Sequence, residues 1–340
     1  MSHWHGDFKA AFFRAWVAEG LPDPERLSDE DREYWRSEPI PGDWRTYLRG
    51  SGNRALHPDV ISTVFGFGCF IGRVCGDLFG LDERRVAARA DWCGRFNLGI
   101  SLFDYVCDEL PEETRHAMLA LPVFAPFTSD DGGRDGGDVG DVGRLLDLIA
   151  TGVLRDLARE TGAPTAHRRR YGLWRAFRNM YAAQLIAASQ PIGPGADLQA
   201  VVRQLKLKSS EPFRVMAEWM ARDPTSTVTT RKAAHVGRCI GDCFWLVDDA
   251  QDIWTDLDSS RWNYFLARSM ELDPALRFDV PGPVLEARLA GLWNANDVSA
   301  QASRKAVKGL AKALAKLGSS PARQDRAAGR LGAAIARWAG

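Results

Sequence analysis

The stretch that decides the fold is Gly241-Asp242-Cys243-Phe244-Trp245-Leu246-Val247-Asp248-Asp249-Ala250-Gln251-Asp252. Its apolar residues recur at helical spacing and lead directly into three carboxylates. On a helix, Asp248 and Asp252 lie on one face, with Asp249 beside them. Burying ionised carboxylates costs several kcal/mol for each ion unless they are paired or bound to a metal. The stretch therefore predicts a buried helix that carries a divalent-metal site.

A second carboxylate cluster, Asp104-Tyr105-Val106-Cys107-Asp108-Glu109, follows the largely apolar run 96–103. On a helix Asp104 and Asp108 are i and i+4, which places their Cβ atoms about 6 Å apart on one face, near enough to share a hard cation. Such a pair taken alone is more often a solvated helix end. Its recurrence on a second apolar helix favours the metal site.

Composition argues against several classes of protein. Of the 340 residues 45% are hydrophobic, which is enough for a sizeable core, and 44 basic side chains cancel 44 acidic ones. The absence of net charge and of a basic tail argues against a nucleic-acid partner. The six cysteines form no CxxC pair, which predicts reduced core residues of a cytoplasmic protein. We expect no secretory signal, because Asp7 and Lys9 interrupt the amino terminus, and no membrane span, because the apolar run Val60 to Gly72 is short and glycine-rich.

Apolar residues recur every three to four positions along most of the chain, whereas period-two alternation bounded by hairpin turns is missing. This pattern predicts an all-α protein. The predicted helices cover 59–79, 85–109, 112–120, 143–160, 168–188, 197–222, 230–256 and 284–339.

The chain divides at its breaks into a helical or irregular segment 1–45, a helical core 46–270, and helices over 271–340 that complete or flank the same domain. We expect a mobile tail around His3 and His5 and a flexible Asp/Gly-rich surface loop over 130–143. After Ala300 the chain is rich in Ala, Lys and Arg, which predicts one or two solvated helices without identifiable chemistry.

The cluster at Asp248 resembles the second aspartate-rich motif of the trans-isoprenyl diphosphate synthases, in which a Gly, a Phe and a polar residue precede an Asp-Asp-x-x-Asp group. Trp245 stands where that family usually has Gln. Four further segments resemble the family's motifs in the correct order, over residues 47–267 as a whole. They are Gly52-Asn53-Arg54-Ala55-Leu56-His57-Pro58 for its Gly-Lys-Arg-x-Arg-Pro segment, Tyr181-Ala182-Ala183-Gln184 for its Gly-Gln helix, Leu207-Lys208-Ser209-Ser210-Glu211-Pro212-Phe213 for its Lys-Thr-Gly segment, and Asp256-Leu257-Asp258-Ser259-Ser260-Arg261-Trp262 for its basic loop.

The resemblance implies a single-domain bundle of helices around a central active-site cavity. In such a cavity a cluster of Mg²⁺ ions, for which Mn²⁺ can substitute, bridges carboxylates to the diphosphate of an allylic substrate. The implied metal ligands are Asp104, Asp108 and Asp248, supported by Glu109, Asp249 and Asp252. The resemblance assigns stabilisation of the departing diphosphate to Arg54, Lys208 and Arg261.

An allylic cation needs a dry, electron-rich cavity, and a well-placed aromatic ring stabilises a cation by roughly 0.5–2 kcal/mol. Aromatic residues occur on the helices that approach the metals, namely Phe65, Phe67, Phe70, Phe103, Tyr105, Phe244 and Trp245. Each alone is more often plain core, and Trp245 is the best single candidate because it replaces a polar family residue. The resemblance also implies that Gln184 lines the cavity and that Gly99 and Ile100, five and four residues before Asp104, form its floor. A small floor residue favours a C20 chain within a range of C15–C25.

The departures from the family concern cations. Asn53 and His57 replace a Lys and an Arg that help to bind isopentenyl diphosphate, and only Arg54 remains. Leu110-Pro111-Glu112-Glu113-Thr114 stands where an Arg-Arg pair is usual, with Arg115 displaced. Each lost charge-assisted contact is worth about 1.5–3 kcal/mol, so a second diphosphate should bind poorly. The pattern favours a terpene synthase, a carbon–oxygen lyase that cyclises its one linear allylic diphosphate.

Two alternatives stay open at the level of sequence. One is a prenyl transferase, which either elongates a chain or uses an unusual acceptor. The other is a non-catalytic regulatory subunit, an alternative kept open by Tyr105, which stands where the first motif usually has its second Asp. A homodimer is compatible with all three. The run His167-Arg168-Arg169-Arg170 could touch diphosphate, although a solvated helix start is more common for such a run.

Overall fold

The fold is seen in a computed structural model that describes residues 2–26, 38–48, 54–110, 113, 140–161, 172–189, 197–278 and 282–339. Within these residues the chain forms twelve α-helices and no strand. In chain order they are α1 Ser2–Ala18, α2 Arg45–Leu48, α3 Pro58–Phe79, α4 Glu83–Glu109, α5 Gly140–Thr161, α6 Gly172–Ser189, α7 Leu198–Ala221, α8 Thr230–Asp258, α9 Tyr264–Leu272, α10 Pro283–Ala295, α11 Val298–Ala315 and α12 Pro321–Trp338. The predicted all-α class is confirmed.

Most predicted helices agree with observed ones to within a few residues. The helix predicted over 112–120 lies outside the described residues except for residue 113. The prediction over 284–339 is wrong as one uninterrupted segment, since it divides into α10, α11 and α12. Helices α1, α2 and α9 were not predicted. Helix α9 begins after Asn263, whose side chain accepts a hydrogen bond from the Phe265 amide at 2.9 Å.

Two close helix pairs form the centre of the protein, α3 with α4 and α7 with α8. Glycines allow the close approach. A Cβ added at Gly68 of α3 would lie 2.5 Å from the Cys93 carbonyl oxygen of α4, and one at Gly241 of α8 would lie 2.7 Å from Ser210 Cα of α7. Because Gly241 precedes the acidic residues of α8 by two turns, this approach brings them close to α7.

The amino terminus is a helix that packs on α11 and α8, with Trp4, Phe8 and Phe12 buried. The expected mobile tail around His3 and His5 is therefore wrong for the backbone, which is helical from Ser2. The solvated character expected after Ala300 is wrong as well, since α11 and α12 bury apolar residues such as Leu310 and Leu331. Apolar residues at three- and four-residue spacing in both segments give each helix a face that must be covered.

Among the described helices, α3 alone is long and apolar enough to cross a membrane. In this fold 67% of its most apolar stretch is buried against other helices. All six cysteines are buried and none forms a disulfide, as predicted for core residues. Burial raises the pKa of the Cys75 thiol to about 12, which keeps it protonated and unreactive.

Candidate active site

The two predicted carboxylate clusters come together around one lysine. Lys208 Nζ of α7 lies 2.9 Å from Asp104 Oδ1 and 3.6 Å from Asp108 Oδ2, both on α4. Although burial lowers the pKa of Lys208, the carboxylates of Asp104 and Asp108 raise it above its usual range, and Asp248 of α8 adds to the effect. Lys208 is therefore a charged ammonium between the acidic faces of α4 and α8.

Asp248 also faces this lysine. Burial, helped by the neighbouring carboxylate of Asp252, raises the pKa of Asp248 to about 7, although Lys208 opposes part of the shift. The Trp338 indole Nε1 donates a hydrogen bond to Asp248 Oδ1 at 3.2 Å. Burial likewise raises the pKa of Asp108, with Lys208 again opposing the shift. Burial thus disfavours the ionised forms of both carboxylates.

Asp249, predicted as a supporting metal ligand, has a different task in the fold. Its Oδ2 accepts a hydrogen bond from the Tyr264 amide at 2.7 Å, and its carbonyl oxygen accepts one from Asn263 Nδ2 at 2.7 Å. The carboxylate is buried, which raises its pKa well above the usual range. Asp249 therefore anchors the start of α9 to α8, and its carboxylate is directed toward α9.

Asp256 is a site residue that the sequence reasoning treated only as part of the basic loop. It follows Asp252 by four residues, so Asp248, Asp252 and Asp256 share one face of α8. Burial raises its pKa to about 6, partly opposed by a hydrogen bond of 2.8 Å from Asn263 Nδ2. The i, i+4, i+8 spacing of Asp248, Asp252 and Asp256 is a signal in the sequence that could have found it. Asp252 itself is exposed.

Arg261 connects the loop after α8 to the end of α4. Its guanidinium donates to the Asp108 carbonyl at 2.8 Å, lies 3.2 Å from Glu109 Oε1, and lies 3.8 Å from Asp108 Oδ2. Burial lowers its pKa, but the neighbouring carboxylates of Asp108 and Glu109 raise it overall. Arg261 therefore places a cation beside the first cluster.

A cavity of about 250 Å³ opens between these helices. Its polar lining includes Asp104, Asp248, Lys208, Gln184 and Asn97, and its apolar lining includes Val64, Phe67, Ile100, Pro212, Phe213, Phe244, Trp245 and Trp338. The aromatic rings contact one another, with Phe213 stacked on Phe244 at 5.3 Å and Phe67 at 5.1 Å from Phe244. An apolar, aromatic cavity with a few convergent polar groups is typical of a small-molecule site.

Five of the predicted cavity residues line this cavity: Phe67, Ile100, Gln184, Phe244 and Trp245. Trp245 is buried, its ring lies 5.5 Å from that of Tyr264, and its Nε1 has no hydrogen-bond partner among the described residues. Gln184 is buried and donates a hydrogen bond to Asp104 Oδ1.

Three predicted cavity residues point elsewhere. A Cβ added at Gly99 would meet Ile149 of α5 at 3.4 Å, so the small residue faces α5 and is not the cavity floor. Phe103 packs edge-on against Tyr181 at 4.5 Å, and Tyr105 is half-buried against the core. None of the three is among the residues that line the cavity from α4, which are Asn97, Ile100, Ser101 and Asp104.

The predicted cations before α3 are only partly described. Arg54 begins a 3₁₀ turn and is exposed, and His57 caps α3 by accepting a hydrogen bond from the Asp59 amide at 3.4 Å. Asn53, Arg115 and the run 167–170 lie outside the described residues.

The donor set suits a hard divalent cation. Among the residues that the structure describes, no three carboxylate, histidine or cysteine side chains lie close enough together to hold one ion by themselves. Mg²⁺ does not require such a cage, since one or two carboxylates together with phosphate oxygens and water commonly bind it. Burial raises the pKa values of Asp108, Asp248 and Asp256, so a bound cation would stabilise their ionised forms.

Comparison with known proteins identifies the fold. No protein-family model and no curated protein matches the chain. Among solved structures, the geranylgeranyl pyrophosphate synthetase of the archaeon Geoglobus acetivorans is 16% identical, with a TM-score of 0.54 over 100% of this chain and 99% of that one. A polyprenyl synthetase from Streptomyces coelicolor is 14% identical, with a TM-score of 0.50 over 91% of this chain and 98% of that one. A geranylgeranyl pyrophosphate synthase from Lactobacillus brevis is 13% identical, with a TM-score of 0.50 over 86% and 94%. The chain therefore has the all-α isoprenoid-synthase fold, as predicted.

Proposed function

We propose that this protein is a magnesium-dependent terpene synthase that ionises one linear allylic prenyl diphosphate and cyclises the cation. The proposal is carried by one observation: two acidic helix faces meet across Lys208 in a cavity whose apolar lining is mostly aromatic. A pocket that combines charged and apolar side chains suits a substrate with an anionic head group and a hydrocarbon chain.

In this proposal Asp104, Asp108 and Asp248 hold Mg²⁺, with Glu109, Asp252 and Asp256 in support. When bound, Mg²⁺ supplies the positive charge that stabilises the departing diphosphate. Lys208 and Arg261 contribute cations from the protein itself, since both already lie beside the first cluster. Arg54 is assigned to the diphosphate on resemblance alone.

The hydrocarbon chain lies in the aromatic part of the cavity. Phe67, Phe213 and Phe244 exclude water from the cation, and Trp245 offers an indole ring beside Asp248. Lys208 holds its ammonium at Asp104 and so orients that carboxylate before substrate arrives. The sequence favoured C20, but a cavity of about 250 Å³ lies just below the range of about 300–1,000 Å³ typical of ligand pockets, so we favour C15.

The test is incubation of the purified protein with Mg²⁺ and C10, C15, C20 and C25 allylic diphosphates, with and without isopentenyl diphosphate. Release of diphosphate together with a cyclic hydrocarbon or alcohol in the absence of isopentenyl diphosphate supports the proposal. Elongated diphosphates in its presence would show a prenyl transferase instead. No diphosphate release from any substrate would support the regulatory-subunit alternative.

Trp245→Ala separates the cavity from the metal site in the same assay. We expect the variant to release diphosphate but to change the product mixture, because it removes a ring from the cavity and leaves the carboxylates in place. Identical products from the variant and the wild type would show that the Trp245 ring does not influence the cyclisation.

A further inference from the structure

We infer that Trp338, at the carboxyl-terminal end of α12, determines which chain length the cavity accepts and also positions Asp248. The inference rests on the proposed function. Nothing in the sequence resemblance points to this residue, since the resemblance ends near residue 267 and the segment after Ala300 was expected to be solvated.

The position of Trp338 is fixed from three directions. Its ring lies 5.2 Å from Phe67 of α3 and 6.3 Å from Phe244 of α8, so it closes the aromatic wall between those two helices. Its carbonyl oxygen accepts a hydrogen bond from Gln251 of α8. Its indole Nε1 donates to Asp248 Oδ1 at 3.2 Å. One side chain therefore touches both the hydrocarbon wall and the metal-binding face.

The ring is the part of Trp338 that would set chain length. An aromatic side chain is large and buries about 150–250 Å² in all. In a cavity of only about 250 Å³, the Trp338 ring is therefore a bulky part of the lining. Shortening it to Ala would extend the cavity toward α12, because the ring belongs to the cavity lining and the helix behind it ends at this residue. A longer chain should then fit.

The indole N–H is the part that would position Asp248. The hydrogen bond holds one carboxylate oxygen toward the wall and leaves the other for the cavity. A phenylalanine keeps most of the ring and removes the N–H, so Trp338→Phe and Trp338→Ala separate the two roles. Trp254→Phe is a matched control, since Trp254 is a half-buried tryptophan of α8 outside the cavity lining whose Nε1 has no partner among the described residues.

Two readouts test the inference in full-length protein. The first is the ratio of kcat/KM for C20 to that for C15 allylic diphosphate, measured by diphosphate release. We expect this ratio to rise at least tenfold in Trp338→Ala and to stay within about threefold of wild type in Trp338→Phe and Trp254→Phe. The second is the Mg²⁺ concentration that gives half of the maximal rise in Tm. Because Trp338→Phe removes one hydrogen bond to a carboxylate, this concentration should increase about two- to tenfold in Trp338→Phe, but not in Trp254→Phe.

The outcomes distinguish this inference from the proposed function. Wild type that releases diphosphate from no substrate overturns both. Wild type that is active, with an unchanged C20 to C15 ratio in Trp338→Ala, overturns the chain-length role alone. An unchanged Mg²⁺ response in Trp338→Phe overturns the positioning role. If Trp338→Ala does not fold, Trp338→Leu carries the same test, because leucine also removes the indole while covering part of the wall.

Discussion

Lys208→Met is the most informative perturbation of the site, because Lys208 is the cation that stands between the two acidic helices. The variant keeps an unbranched apolar side chain and removes the ammonium. In the wild type the Lys208 ammonium contacts the carboxylates of Asp104 and Asp108 at 2.9 and 3.6 Å, and in the variant these carboxylates lose that shared partner. In the absence of Mg²⁺ the folded state should be destabilised.

The expected size of the effect follows from burial. Breaking a fully buried ion pair costs about 3–5 kcal/mol, whereas an exposed pair is worth about 0–1 kcal/mol. The side chains of Lys208, Asp104 and Asp108 are 26%, 39% and 13% exposed, which places the pair between these limits. We expect a loss of about 1–3 kcal/mol, which corresponds to a fall in Tm of about 1–4 °C for a chain of this length.

The assay is thermal unfolding in EDTA and in millimolar Mg²⁺. Mg²⁺ should raise the Tm of Lys208→Met more than that of wild type, since the ion no longer competes with an ammonium for the same carboxylates. Lys206→Met is the matched control: it lies on the same helix and its partner at 3.3 Å is Asp242, which does not line the cavity. Equal Tm values and equal responses to Mg²⁺ in the two variants would refute the reasoning.

Two further predictions concern charge and the loop after α8. Because burial raises the pKa of Asp248 to about 7 and that of Asp256 to about 6, the folded state holds protons that the unfolded chain releases above pH about 4. In EDTA the Tm should therefore fall as pH rises from about 4 to about 7, and Asp248→Asn should flatten that slope; a Tm that rises over this window would contradict the shift. Asn263→Ala removes the fully buried amide that donates hydrogen bonds to the Asp249 carbonyl and to Asp256. The free energy of unfolding measured with denaturant should therefore fall by about 1–3 kcal/mol. An unchanged denaturation midpoint would show that α9 does not depend on this amide.

The sequence predicts the helices that carry the carboxylates well, because their apolar spacing and acidic residues are local signals. It also predicts Lys208 and Arg261 beside those carboxylates, through the resemblance. It misses what depends on long-range packing. Trp338 follows Asp248 at a great distance in the chain, and only the packing of α12 against α3 and α8 brings the two together.

Other errors arise because the spacing of residues in the sequence does not determine which side of a helix faces the cavity. Gly99 and Ile100 are neighbours in sequence, yet Ile100 lines the cavity whereas Gly99 faces α5. Asp248 and Asp249 diverge in the same way, one toward Lys208 and the other toward α9. Successive helical residues are about 100° apart, so a small rotation of the helix decides which of two neighbours enters the site.

The central claim is that the carboxylates facing Lys208 bind Mg²⁺ and thereby release diphosphate. Its most direct test is Mg²⁺-dependent diphosphate release from C15 allylic diphosphate by wild type, Asp248→Ala and the control Asp242→Ala, which lies on the same helix but pairs with Lys206 and Ser210 outside the cavity. We expect release by wild type and Asp242→Ala in Mg²⁺, none in EDTA, and none by Asp248→Ala. Undiminished release by Asp248→Ala, or release that does not depend on a divalent metal, would contradict the account.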